Sequence, residues 1–264
     1  MGLPAQAVAD DQDVRQLKSS DTVDPASGKS YLLYETVENK YDLFFLRSMT
    51  SEELESYGRA RSEALGKTRG KLREKRGGAP GVDDEELLPD AAFPFIDEDI
   101  RNLVRLDSGR VYERNGDRRT YVAEVPPGEY TIYAAGIDGF VGGTCMCMGT
   151  VRFRTDAGQI VDLGTILVAG DAANTDLVEL KPFEEPEYIR RKALPFLMSV
   201  RPALQGDPLP SLFDRRDVTV AQYSAAGPIP NFMGMLINRM VPVDGVLAYE
   251  GDRIVALDPN KSIP

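Results

Sequence analysis

The chain of 264 residues contains neither histidine nor tryptophan. Without imidazole the commonest general base and metal ligand is missing, and every histidine-based catalytic triad goes with it. No Gly-x-Ser-x-Gly elbow, Ser-x-x-Lys motif or calcium-loop spacing takes its place. No apolar run approaches the roughly 18–20 residues that cross a bilayer as a helix. Positive charge is also scarce: 31 Lys and Arg face 42 Asp and Glu, a formal net charge of −11. That balance argues against a nucleic-acid partner, because phosphate neutralisation needs a basic face. Gly28-Lys29-Ser30 resembles the end of a phosphate-binding loop, but Val23 stands where that loop needs its first glycine. The glycines of 136–143 do not have dinucleotide-binding spacing and suit a loop after a strand.

What is present suits a folded protein of one large or two ordinary domains. Residues 1–29 are polar and are expected to form a loose tail. Within it, Ala7-Val8-Ala9 has the small-x-small form of a signal-peptidase site. This leads to the expectation of an exported protein, periplasmic or extracellular, with its signal largely removed. Ser30–Val37 and Tyr41–Arg47, rich in β-branched and aromatic residues, are expected to pair as strands across Glu38-Asn39-Lys40. Thr50-Ser51-Glu52-Glu53 is a capping box, and Leu54, Tyr57, Ala60, Ala64, Leu65, Thr68 and Leu72 follow at helical spacing. The helix should run to about Arg76, before Gly77-Gly78-Ala79-Pro80-Gly81. An acidic linker over 77–96 follows, and Asp97 is expected to cap a helical turn through Leu103.

From Arg110 the pattern becomes β. Thr120–Val125 and Glu129–Ala135 flank the turn Pro126-Pro127-Gly128, with Tyr130, Ile132 and Ala134 expected on one face. Met148–Arg154 alternates, placing Val151 and Phe153 inward, and Asp156-Ala157-Gly158 turns into Gln159–Val168. Beyond Lys181, prolines crowd the chain, with a short helix expected over Glu187–Leu194. Strands are expected at Val218–Tyr223 and at Val246–Leu257, the latter broken at Glu250-Gly251-Asp252. Pro228–Met240, apolar and rich in methionine, should pack as core, with a groove or subunit contact as the alternative. The fold expected is mainly β: an antiparallel β-sandwich over 30–180 with an inserted amphipathic helix, and a Pro-rich segment, 181–264, packed on it.

Val125-Pro126-Pro127-Gly128-Glu129-Tyr130-Thr131-Ile132, followed by Ala157-Gly158-Gln159-Ile160-Val161-Asp162-Leu163-Gly164, resembles a pattern in exported bacterial β-sandwich domains. The resemblance is to a family of unknown function in the style of transthyretin-like, carboxypeptidase-regulatory domains, over roughly residues 105–170. It implies a secreted or envelope accessory module and brings no catalytic residues with it.

Two places are candidates for chemistry. The run Lys67 to Arg76 places Lys67, Arg69, Lys71, Arg73, Lys75 and Arg76 near a helix C-terminus, where basic charge complements the macrodipole. On so acidic a chain, the same run could orient the molecule toward a protein partner or an envelope surface. Cys145 and Cys147, within Thr144-Cys145-Met146-Cys147-Met148, are expected to face the core beside Val151 and Phe153 as small apolar side chains. A disulfide between them and soft-metal binding, as of copper, are the alternatives. The carboxylates Asp97, Glu98, Asp99, Glu184, Glu185 and Glu187 are read as solvated surface. The function expected is therefore non-enzymatic, with no cofactor: binding of an unidentified partner or envelope surface. A copper-binding protein is second and a carboxylate-based hydrolase third.

Overall fold

The computed structural model describes residues 14–37, 41–75, 83–90, 93, 102–137, 142–169, 176–180, 196–204, 206–210, 213–231 and 233–256. Contacts divide the chain into a helical unit around Met49–Arg101 and a β unit formed by Val8–Ser48 with Asn102–Pro264.

In the helical unit, helix α1 spans Ser51–Lys75. Its capping box is closed in both directions: the Glu53 N–H donates to Thr50 Oγ1 (3.2 Å) and the Thr50 N–H to Glu53 Oε2 (2.8 Å). Of the expected apolar stripe only Leu65 is buried, and Leu54 is 60% exposed. The segment expected as an acidic linker contains a one-turn helix, α2, at Asp84–Leu87.

The β unit is built on two seven-stranded sheets. The first runs β1 (Arg15–Gln16), β6 (Arg118–Val125), β2 (Ser30–Val37), β10 (Ile160–Ala169), β11 (Leu197–Arg201), with β5 (Glu113–Asn115) on β6 and β12 (Val218–Val220) on β10. The second runs β13 (Ser224–Ala226), β9 (Thr150–Thr155), β7 (Gly128–Ile137), β3 (Asp42–Arg47), β4 (Leu103–Leu106), with β8 (Gly142–Cys145) joining β7 to β14 (Leu236–Ile237). A hairpin of β15 (Leu247–Glu250) and β16 (Arg253–Ala256) turns at the expected Gly251. The sheets are mixed where antiparallel ones were expected: β10 runs parallel to both β2 and β12, and β14 parallel to β8.

Strand positions follow the sequence more closely than strand pairing does. β2 and β3, expected as a pair, lie in different sheets, and so do β6 and β7 on either side of Pro126-Pro127. These turns are corners from one sheet to the other. A corner lets both strands bury apolar side chains in a shared interior, and β2 is buried at all of its first five residues. Leu103, expected to end a helical turn, instead begins β4. The segment expected as a loose tail joins the first sheet at Arg15–Gln16, where Gln16 exchanges two hydrogen bonds with the Asp107 backbone and Leu17 is fully buried.

Both sheets contribute to one central core, Leu32, Tyr34, Val161 and Ile166 from the first and Phe45, Ile132, Val151 and Phe153 from the second. The alternation expected in β7 fails at Tyr133. There the register against β3 shifts between Phe44 and Phe45, so Ala135 joins the core and Ala134 turns to the opposite face. The outer faces are apolar too. Leu209 and Phe213 pack on the first sheet, and Ile229, Met233 and Met235, all half-buried, on the second. Pro228–Met240 is therefore not the core segment expected: among its described apolar residues only Met240 reaches the central core, and Ile237 is 58% exposed.

Burial pushes the phenols of Tyr34 and Tyr223 well above the ordinary value of 10.0. Tyr121, Asp42 and Asp107 add to it at Tyr34, and Asp162 at Tyr223. Above pH 10 the unfolded chain therefore releases these protons while the folded chain holds them. Their contribution to stability is complete below pH 10 and is lost as pH rises past it. Alkaline titration followed by phenolate absorbance should separate an early group of tyrosines from a late one. The late group should ionise together with loss of the β circular-dichroism signal.

Candidate functional site

The basic run on α1 divides by the helical repeat. Arg69 does not face solvent: its guanidinium donates to the Leu88 carbonyl (Nε, 3.0 Å) and pairs with Asp90 (2.9 Å). Arg61 donates to the Asp90 carbonyl and lies over the Phe93 ring, so the two arginines hold the α2 segment against the helix. Lys67, Lys71 and Lys75 recur every fourth residue on a different face, and all three are exposed. Lys67 pairs with Glu63 at 2.6 Å and holds that carboxyl below its usual range, but both side chains are more than two-thirds exposed. Such a pair yields readily to a stronger partner. Arg73 is also exposed but engaged within the chain. Arg76 lies outside the described residues.

Cys145 and Cys147 are joined by a disulfide, with Cα atoms 5.2 Å apart. The disulfide alternative therefore holds in place of two separate small apolar side chains, and both residues are buried, 0% and 4% exposed. Their face was misjudged. They pack with Phe44, Leu103 and Tyr133 on the outer side of the second sheet, whereas Val151 and Phe153 lie in the central core. The reason is the turn at Met146–Gly149 between β8 and β9, which breaks the alternation carried back from β9. Met146 packs in the central core and Met148 is exposed, so the sulfurs of this segment diverge. Closing so short a loop is worth only about 1–2 kcal/mol on the chain-entropy account.

A third place was invisible in the sequence. Directly opposed residues on five adjacent strands form one row across the first sheet: Glu113 of β5, Thr120 of β6, Glu35 of β2, Thr165 of β10 and Arg201 of β11. At ordinary strand spacing the row is about 19 Å long. It floors a cleft of about 450 Å³, covered by the segment after β11 with Pro202, Pro208 and Leu209. The cover is brought close by a bulge in β10 at Gly164, whose φ is +76° and whose N–H donates to Asp162 Oδ1 (3.0 Å). Glu35 accepts from Arg118 Nε (3.0 Å), and Arg201 donates to Glu179 (Nε, 2.6 Å). Burial pushes the Glu179 carboxyl up, but its backbone hydrogen bond and Arg201 outweigh that and leave it below the usual range. No signal in the sequence singles these residues out, because each comes from a different strand and each is ordinary in its own. Asp97, Glu98, Asp99, Glu184, Glu185 and Glu187 lie outside the described residues, as do the loop 138–141 and the helix expected over Glu187–Leu194.

No protein-family model matches the chain, and neither does any curated protein or any solved structure.

Proposed function

We propose that this is a non-enzymatic protein of the bacterial envelope or periplasm, one that docks on an acidic protein partner or an anionic envelope surface. The observation that carries the proposal is the exposed stripe Lys67, Lys71 and Lys75 on α1, set on a chain of net charge −11. Like charge elsewhere on the molecule repels an anionic surface, so the stripe both attracts and orients. An exported location is in keeping with the Cys145–Cys147 bridge, because disulfides persist in oxidising compartments. The two sheets sharing one core are read as the layers of a sandwich, in keeping with the transthyretin-like resemblance of 105–170. The copper-binding alternative would need the bridge reduced before either sulfur could serve as a thiolate ligand.

Reversing the stripe in a Lys67→Glu/Lys71→Glu/Lys75→Glu variant tests the proposal. Each lysine at an anionic surface contributes about 1 kcal/mol, so the variant should bind roughly a hundredfold more weakly. Co-sedimentation with phosphatidylglycerol vesicles and capture from detergent-solubilised envelope measure the two forms of partner. Binding that the variant retains in both assays would reject the proposal, provided circular dichroism shows α1 intact.

A further inference from the structure

We infer that the cleft on the first sheet binds a hydroxyl-rich ligand without anionic groups, a neutral or amine-bearing sugar. The inference does not depend on the lysine stripe, which belongs to the other unit.

Three observations support it. The first is size: about 450 Å³ falls among small-molecule sites, roughly 300–1,000 Å³. The second is a pair of hydroxyls. Thr120 and Thr165 are 7% and 4% exposed, both line the cleft, and among the described residues neither side chain has a hydrogen-bond partner in the protein. They differ from Ser30, Thr36, Thr144 and Thr155, whose unpaired hydroxyls are sealed from solvent altogether. Hydroxyls so nearly buried yet open to the cleft offer a ligand hydrogen-bonding groups that water otherwise satisfies. The register puts both beside Glu35, one strand away on either side. The three therefore present hydroxyl, carboxylate and hydroxyl in a line at strand spacing.

The third observation is charge, which chooses the ligand class. Glu35, Glu113, Asp162 and Asp207 line the cleft against two guanidiniums, Arg118 and Arg201. Both guanidiniums are already engaged by carboxylates, Arg118 by Glu35 and Arg201 by Glu179. Phosphate, carboxylate or sulfate groups would therefore meet net repulsion. Apolar lining is confined to Leu33, Ala203, Leu209 and the prolines of the cover, which leaves little for a purely apolar ligand. A sugar ring matches the remainder. Its hydroxyls donate to carboxylates and accept from threonine, its ring carbons lie against proline, and an amine would meet Glu113 at the rim.

Isothermal titration of the full chain with glucosamine, N-acetylglucosamine, maltose and glucuronate tests the inference. At least one of the first three should bind, and glucuronate should not. A Thr120→Val/Thr165→Val variant keeps the β-branched shape of both strands and should weaken binding about tenfold or more, as expected for two lost hydrogen bonds. Glu113→Gln, at an exposed residue of β5, gives a second variant that leaves the core untouched. It should weaken glucosamine more than maltose. The inference is overturned if none of the neutral or amine-bearing sugars binds up to about 10 mM, a limit beyond ordinary weak affinity. Glucuronate binding as well as they do, or both folded variants binding as the parent does, would overturn it equally.

Discussion

A Gly164→Ala chain is expected to lose most of its folded population. Gly164 sits at φ +76°, a left-handed conformation that costs an alanine about 1–2 kcal/mol. The larger cost is steric. An added Cβ would lie 2.2 Å from the Arg201 carbonyl oxygen, 2.5 Å from the Ala203 nitrogen and 2.8 Å from the Pro202 carbonyl carbon. All three are backbone atoms, so no side chain can swing aside, and either the β10 bulge or the β11 exit must move. The total should exceed about 4 kcal/mol, a large part of the roughly 5–15 kcal/mol that holds an ordinary domain together. Urea unfolding measures it, and Gly116→Ala is the control. Gly116 has φ +63° but nothing within 4 Å of the added Cβ, so only the same backbone cost of about 1–2 kcal/mol applies. Equal losses at the two glycines would show that the 201–203 segment does not close down on β10. Because that approach also roofs the cleft, any folded Gly164→Ala protein should have lost sugar binding.

Phe153→Ala is expected to cost about 3–5 kcal/mol, the range for removing a buried aromatic ring. Phe153 is 2% exposed and stands at the centre of the aromatic cluster in the core. Its ring stacks on Tyr130 at 5.9 Å and meets Phe45 and Tyr223 edge-on at 6.2 and 5.8 Å. Such ring pairs add about 0.5–1.5 kcal/mol each beyond the area they bury. Tyr223 also donates from its hydroxyl to the Leu163 carbonyl (2.8 Å) in the other sheet, so Phe153 supports a link across the core. Thermal and urea midpoints should fall together. Arg154→Ala, one residue along the same strand, should change stability by less than about 0.5 kcal/mol. Its ion pair with Asp156 is 3.2 Å long and both side chains are at least 70% exposed. A small effect at Phe153 would mean that the cluster repacks around the cavity.

The helix and most strands were legible because their signals are local. The capping box at Thr50–Glu53 contains both partners of its own hydrogen bonds within four residues. Alternation in Thr150–Thr155 places Val151 and Phe153 inside whatever their neighbours are. The same logic failed at Ala134 and at the cysteines, where a bulge and a turn shift the alternation by one residue. Of the basic run, composition marked the residues, but only the fold around α1 separated Arg69, held on Leu88 and Asp90, from the exposed Lys67, Lys71 and Lys75.

The amino-acid sequence by itself determined the β-rich class, the helix with its capped start, the turns at Gly128, Gly158 and Gly251, and the exclusion of histidine chemistry. Tertiary structure alone decided which sheet each strand enters, the parallel pairing of β10 with β2, the bonding of Cys145 to Cys147 and the row that floors the cleft. The physical reason is the range of the interactions. Propensity, capping and alternation act between residues a few positions apart, whereas Glu113, Thr120, Glu35, Thr165 and Arg201 are neighbours only through ladders of backbone hydrogen bonds. Those ladders accept any side chain, so the identity of the neighbouring strand is left to how the two sheets close over their common core.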